Sequence, residues 1–258
     1  MEGRIMNQNI EKGRKEARIG LDSEKDIINL INTDEQFRNT IKQCLVNLGF
    51  DLHREISARL DNMKADIYIE NDLMIGVSIK SSTGTSFHHL DRRWLEEWKD
   101  FLNMPKDIFG ILKNAILRIA NNPKNCFILP KDKNRIKDFF ESHIEKIIDE
   151  IFTHSEPNLK IFMINDKVCN KLYIFRIEDT INFLLANIRN NIRFSTKGII
   201  KLGDFITVQR KSGNSSKVKK PKTDWKHPGN QLQFKISPIK LTEYLVKNNV
   251  INFQIVEL

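Results

Sequence analysis

Cysteine is scarce in this sequence. Cys44, Cys126 and Cys169 are the only three in 258 residues, and none has CxxC or Cys/His spacing. Isolated and odd in number, they exclude a disulfide framework and a cysteine-built zinc site, and they fit free thiols in a reducing, cytoplasmic compartment. Long apolar runs are also missing. No stretch approaches the roughly eighteen residues that mark a membrane helix, so no membrane partner is expected. The opening "MEGRIMNQNIEKGRKEARIG" has no apolar h-region and does not read as a secretory signal. No internal repeat or obvious linker is present, and the only low-complexity piece is "KSGNSSKVKKPK". One domain over residues 1–258 is therefore expected, with residues 1–20 as a flexible start.

What is present is ordinary in amount and unusual in placement. Hydrophobic residues make up 40% and charged residues 29%, enough for a well-buried core. The formal charge is +9. Residues 197–240 hold eleven Lys and Arg against Asp204 and Asp224, a surplus of nine that equals the surplus of the whole chain. A basic patch on an otherwise neutral protein points to a polyanion; a solvated lysine loop is the alternative reading.

Hydrophobic periodicity outlines a mixed α/β chain. Ile27, Ile28, Ile31, Phe37, Ile41, Leu45 and Leu48 predict a helix broken at most once, with Ser23 suited to its start and Gly49 to its end. Strands are expected around "HREIS", "KADIYIE" and "LMIGVSIK", the last two joined at Asn71-Asp72. Residues 88–103 read as helix, as do stretches near 106–120 and 132–152. Strands resume with "KIFMI" and "KLYIFRI", followed by a short helix near 179–189. The strands "IRFST", "DFITVQRK" and "QLQFKIS" follow, and a helix near 238–248.

The stretch "IGVSIKSSTGTS" (75–86) carries the chemistry. Alternation puts Val77 and Ile79 on one face and Ser78 and Lys80 on the other, while "KADIYIE" puts Asp66, Tyr68 and Glu70 together. If these strands form a hairpin, Asp66 lies beside Ser78 and Lys80. A carboxylate there suits Mg2+, with Mn2+ as a substitute. A lysine one pleat away suits orienting water and neutralising phosphate charge. An ordinary edge hairpin would show the same pattern.

Asp66, eleven residues, then "SIK" resembles the PD-(D/E)XK nuclease motif. The wider series "EKDI", "NLGFDL", "KADI", "SIK…F…LDRRWLEEW", "ITVQRKSG" and "QLQFKISP" is similar, in the same order, to a narrow group of small type II restriction endonucleases. These are the HinP-type enzymes, with MspI more distantly alike, and the resemblance spans roughly residues 20–240. It implies a restriction-endonuclease-like fold, with a mixed central sheet flanked by helices. It also implies Mg2+-dependent hydrolysis of double-stranded DNA at a short GC-containing site, leaving 5′-phosphates. A second identical or related subunit is a further implied partner, and a strand-nicking subunit or a non-catalytic DNA-binding module is the alternative function.

One departure stands out. The family prefers Asp, Glu or Gln two residues before the lysine, and this chain has Ser78. The missing charge must come from elsewhere, and Glu24, in the turn opening the first helix, is the expected source, with Glu70 and Glu55 behind it. A carboxylate there would also suit a helix N-terminus on its own account. Catalytic Asp66, Ser78, Lys80 and Glu24, with Asp66, Ser78 and Glu24 toward the metal, make up the expected site. Ser81, Ser82, Thr83, Thr85 and Ser86, around Gly84, are expected against the DNA backbone.

By the same resemblance, the strands ending "VQRK" and "QLQFK" form the base-reading region. Gln209, Arg210, Lys211, Gln231, Gln233 and Lys235 are the residue types that meet base edges in a major groove. Lys217, Lys219, Lys220 and Lys222 in the connecting loop are expected to grip phosphates without sequence preference. Lysines guarding strand edges are the bland alternative. His88 and His89 read as surface residues, and Trp94 and Trp98 as helix core.

Overall fold

A computed structural model describes residues 22–60, 64–84, 86–212 and 218–258. The expected flexible start at 1–20, Thr85 and Lys217 lie outside the described residues. Two compact units share the chain, which passes between them more than once. One contains the described residues up to His88, Thr153–Phe183 and Ser237–Leu258, and the other His89–Phe152 and Leu184–Ile236.

The first unit is built on a six-stranded mixed sheet in the order β1-β2-β3-β5-β6-β11. Its strands are β1 (Ser57–Leu60), β2 (Ile67–Glu70), β3 (Met74–Ser82), β5 (Leu159–Asp166), β6 (Lys171–Arg176) and β11 (Phe253–Glu257). Every neighbouring pair is antiparallel except β3 and β5. A parallel pair needs a long crossover, and residues 83–158 supply it, most of them spent in the other unit. Helix α1 (22–33) and helix α2 (Glu35–Asn47) break at Asp34, whose side chain accepts the Phe37 N–H and caps α2. Gly49, at φ +90, follows the α2 end in a conformation that side chains avoid. Ile27, Ile31, Ile41 and Leu45 bury against Ile67, Ile69, Val77, Ile79, Ile161 and Met163 of the sheet. Helix α7 (Pro238–Asn248) packs on β3 and β5.

The second unit carries a five-stranded sheet in the order β4-β10-β9-β8-β7. These are β4 (His88–Arg93), β10 (Leu232–Ile236), β9 (Ile206–Arg210), β8 (Ile200–Leu202) and β7 (Ile192–Phe194). Around it stand α3 (Leu95–Leu102), α4 (Lys106–Asn121) and α5 (Lys133–Thr153), while α6 (Ile177–Ile188) precedes β7. Trp98 is buried against Phe101 and Phe234, and Arg93 lies over its ring while pairing with the buried Asp91 and Glu150. Trp98 is thus core, as its spacing predicts.

Several boundaries differ from the sequence reading. "HREIS" is irregular to Ile56, and its strand begins at Ser57. Residues 88–93 are not helix but strand, because β10 offers them a pairing edge that local periodicity cannot reveal. Ser81 and Ser82 are not loop. β3 continues through them, held in parallel register by Asn165 and Asp166. Ser23 is no cap: it lies inside α1 and is fully buried.

Candidate active site

Strands β2 and β3 form the expected hairpin, with Ile67 opposite Val77, and the Asp66 N–H donates to the Val77 carbonyl. That register sets the Asp66 carboxylate over the end of β3. Its Oδ2 accepts the Ile79 N–H at 2.5 Å, the Ser78 hydroxyl at 3.2 Å and the Lys80 ammonium at 3.3 Å. Lys80 Nζ also donates to Ser78 Oγ at 3.1 Å and to the Ile79 carbonyl at 2.9 Å. All three of these bonds fall on Oδ2, and among the described residues Oδ1 of Asp66 accepts none. The Lys80 and Asp66 side chains are 18% and 25% exposed, enough to reach a substrate yet held in place by their neighbours.

Glu24, on α1, completes the cluster electrostatically. Burial pushes its carboxyl above the usual range and Asp66 pushes the same way, while Lys80 opposes both. The two carboxylates and the ammonium therefore feel one another. Glu70 does not join them. It lies four residues along β2 from Asp66, about 13 Å at strand rise, and it pairs with Arg59 at 2.6 Å. Glu55 is exposed in the irregular stretch before β1.

Among the described residues no group of three or more His, Cys, Asp or Glu gathers as a metal cage. The oxygens around Asp66 and Lys80 are hard ones: the Asp66 carboxylate, the Ser78 hydroxyl and the Ile79 carbonyl in hydrogen-bond reach, and Glu24 in electrostatic reach. One or two carboxylates completed by water and substrate oxygens is the coordination Mg2+ favours, and it suits Zn2+ poorly. The residues fit the expected ion.

Past Ser82, where β3 ends, the chain turns at Gly84. Ser82 is buried; its hydroxyl donates to the Gly84 carbonyl, accepts the Gly84 N–H and meets His88 Nε2 at 2.9 Å. Ser86 reaches the same imidazole at 3.3 Å. Ser82 is therefore spent on shaping the turn, and Ser81 Oγ is buried as well. Thr83 and Ser86 remain exposed, with Gly84 half-buried between them. His88, read from sequence as a surface residue, holds this turn.

In the second unit β9 and β10 are antiparallel, with Gln209 directly opposite Gln233 and Thr207 opposite Lys235. Side chains so paired stand about 5 Å apart on one face. The same register continues to Lys201 of β8 and Arg193 of β7, so Arg193, Lys201, Thr207 and Lys235 form a row across four strands. Arg193 pairs with Asp204 at 2.6 Å. Lys211 N–H donates to the Gln231 carbonyl, and alternation puts Gln231 on the Gln233 face. Burial, then Arg92, lowers the Lys211 pKa. Sequence reading did not single out Arg193 or Arg92, and took Lys201 only as part of the basic 197–240 stretch, because nothing local says which strands lie side by side.

Arg210 falls on the other face. It is 6% exposed, and its Nε donates to Asn230 Oδ1 at 2.8 Å. Asn230 in turn donates to the Lys222 and Asp224 carbonyls. Strand alternation turns Arg210 inward, so it holds the lysine loop in shape and does not present its guanidinium beside Gln209. Lys219, Lys220 and Lys222 are exposed on that loop.

No family model and no curated protein matches this chain. Among solved structures, the fold is similar to that of the restriction endonuclease MspI, crystallised in complex with its cognate DNA. The TM-score is 0.57 at 16% identity, over 88% of this chain and 92% of that one. The fold is restriction-endonuclease-like: a mixed central sheet flanked by helices.

Proposed function

We propose that the chain is a sequence-specific, Mg2+-dependent DNA endonuclease of the type II restriction class, acting at a short GC-containing site. The observation that carries this reading is the convergence of Asp66, Ser78 and Lys80 across the β2–β3 hairpin, with Glu24 in electrostatic reach. The likeness in fold to an enzyme crystallised on its cognate DNA, and the basic row of Arg193, Lys201 and Lys235, support the same substrate, whereas Gln233 is buried at 8% exposure.

Asp66, Glu24 and the Ile79 carbonyl would hold the Mg2+, which supplies Lewis-acid polarisation of the phosphate and an acidified water. Asp66 fixes Lys80, and the ammonium orients the attacking water and offsets the negative charge that grows on the phosphate oxygens. A bond forms from water oxygen to phosphorus and the bond to the 3′ oxygen breaks, which leaves a 5′-phosphate and a 3′-hydroxyl. Ser78 contributes a neutral hydroxyl that bridges Asp66 and Lys80, donating to Asp66 Oδ2 and accepting from the Lys80 ammonium.

That neutral Ser78 also favours a second reading, a strand-nicking subunit or a DNA-binding module without cleavage. Incubation with supercoiled plasmid and Mg2+ separates them. Linear product supports the endonuclease, nicked circles the subunit, and retarded but uncut plasmid the binder. Sequencing the ends of cut DNA then gives the site.

Two further results are expected. Ser78→Ala is tolerated, at a cost on the order of 1 kcal/mol or about tenfold in rate, whereas Glu24→Gln costs about a hundredfold because it removes a full charge. Cleavage rates across a Mg2+ series check this; a dead Ser78→Ala beside a normal Glu24→Gln would refute the metal assignment. DNA affinity falls steeply with salt, since each phosphate contact from the basic region releases a counterion. A flat plot of log K against log salt would remove the polyanion reading.

A further inference from the structure

Glu24 matters to the proposed site only if this part of α1 stays where it is. The body of α1 is seated by Ile27 and Ile31 on an apolar surface, and apolar contacts are non-directional. They allow the helix to slide or roll by small amounts. Ser23 supplies the direction that they lack. It is 0% exposed, and its hydroxyl accepts a 2.7 Å hydrogen bond from Asn165 Nδ2, itself 1% exposed and 142 residues away.

Asn165 lies on β5 directly opposite Ser81 of β3, one step beyond the Lys80–Ile164 pairing. The amide is therefore mounted on the strand beside the one that carries Lys80. Neighbouring helix residues point about 100° apart with a rise of about 1.5 Å. Holding Ser23 inward thus sets the direction of Glu24. Lys25 and Asp26, the next residues, are exposed, while Glu24 is half-buried and in electrostatic reach of Asp66 and Lys80.

Stability alone explains this pair poorly. Asn165 Oδ1 and Ser81 Oγ are buried without a hydrogen-bond partner among the described residues. An apolar pair of similar shape would avoid that cost.

We propose that Asn165 is a positioning residue: by holding Ser23 it fixes Glu24 beside Asp66 and Lys80. This rests on the nuclease reading above.

The test is calorimetric titration of Mn2+ into the DNA-free protein, well below its unfolding temperature. The proteins compared are wild type, Glu24→Gln, Asn165→Ala and the double variant, with Ser23→Ala as a milder version of the same lesion. Asn165→Ala should weaken Mn2+ binding roughly 10- to 100-fold, as loss of a group behind a metal ligand does. Ser23→Ala should shift it the same way, and the double variant should bind no worse than Glu24→Gln alone. If Asn165→Ala does not fold, Ser23→Ala carries the comparison, with its own Glu24→Gln double. Wild-type affinity in Asn165→Ala and Ser23→Ala beside a weakened Glu24→Gln overturns the proposal. So does full additivity in the double variant, which would mean that Asn165 acts independently of Glu24. Wild-type affinity in Glu24→Gln overturns it too, while leaving an Asp66-based nuclease in place. A wild-type protein that neither takes Mn2+ nor cuts plasmid removes the nuclease reading, and this inference with it.

Discussion

Lys80→Ala is expected to lower the cleavage rate by roughly 10²- to 10³-fold while leaving DNA affinity nearly unchanged. The reason lies in where the ammonium sits. Its three bonds, to Asp66 Oδ2, Ser78 Oγ and the Ile79 carbonyl, hold it at the end of β3. There it can act on charge that appears only in the transition state. It is one cation, whereas the basic residues expected to grip the duplex lie in 197–240. Ground-state binding should therefore barely notice the change. Cleavage under single-turnover conditions together with gel retardation in Ca2+ measures both quantities. Wild-type cleavage in this variant would end the site assignment, and parallel losses of cleavage and affinity would make Lys80 a binding residue.

Asp66→Ala is expected to abolish cleavage and the response to Mg2+ together. On the proposed reading Asp66 has two functions on separate oxygens: Oδ2 organises Ser78, the Ile79 N–H and Lys80, and Oδ1 would take the cation. Asp66→Asn separates them. The amide keeps the size of the side chain but removes its charge, so the fold should be retained while metal affinity is lost. Thermal unfolding with and without Mg2+ is the check. Wild type should gain stability with the ion, since binding to the folded state alone stabilises it, and Asp66→Asn should not. An Asp66→Asn protein that still gains stability from Mg2+ and cuts DNA would place the metal elsewhere.

Much of the fold was legible locally because its helices obey a 3.6-residue period with ordinary signals at their ends. α4, α5 and α7 lie close to their expected positions, and the break between α1 and α2 falls at a capping aspartate. β8 has three residues and β11 lies at a sheet edge, so neither carries enough alternation to stand out. The helical reading of 88–103 rests on Trp94, Leu95, Trp98, Phe101 and Leu102, all beyond Arg93, so β4 itself carried no helical pattern. The bonding edge of β10, more than a hundred residues away in sequence, made it a strand.

The sequence by itself determined the composition of the candidate site. Strict alternation on two strands joined by Asn71-Asp72 is enough to bring Asp66, Ser78 and Lys80 to one place, since a hairpin is local and its register follows from its turn. It also determined that the positive surplus is confined to residues 197–240. Only the tertiary structure decided what depends on distant strands and buried polar atoms. It put Gln209 opposite Gln233, continued a basic row to Lys201 and Arg193, and turned Arg210 inward to Asn230. It set Glu70 against Arg59 and brought Glu24 into reach of Asp66. It buried Ser23 against Asn165, where sequence suggested a helix cap. The physical reason is the same in each case. Periodicity says which way a side chain faces on its own element, and only the packing of elements far apart in the chain says what it meets there.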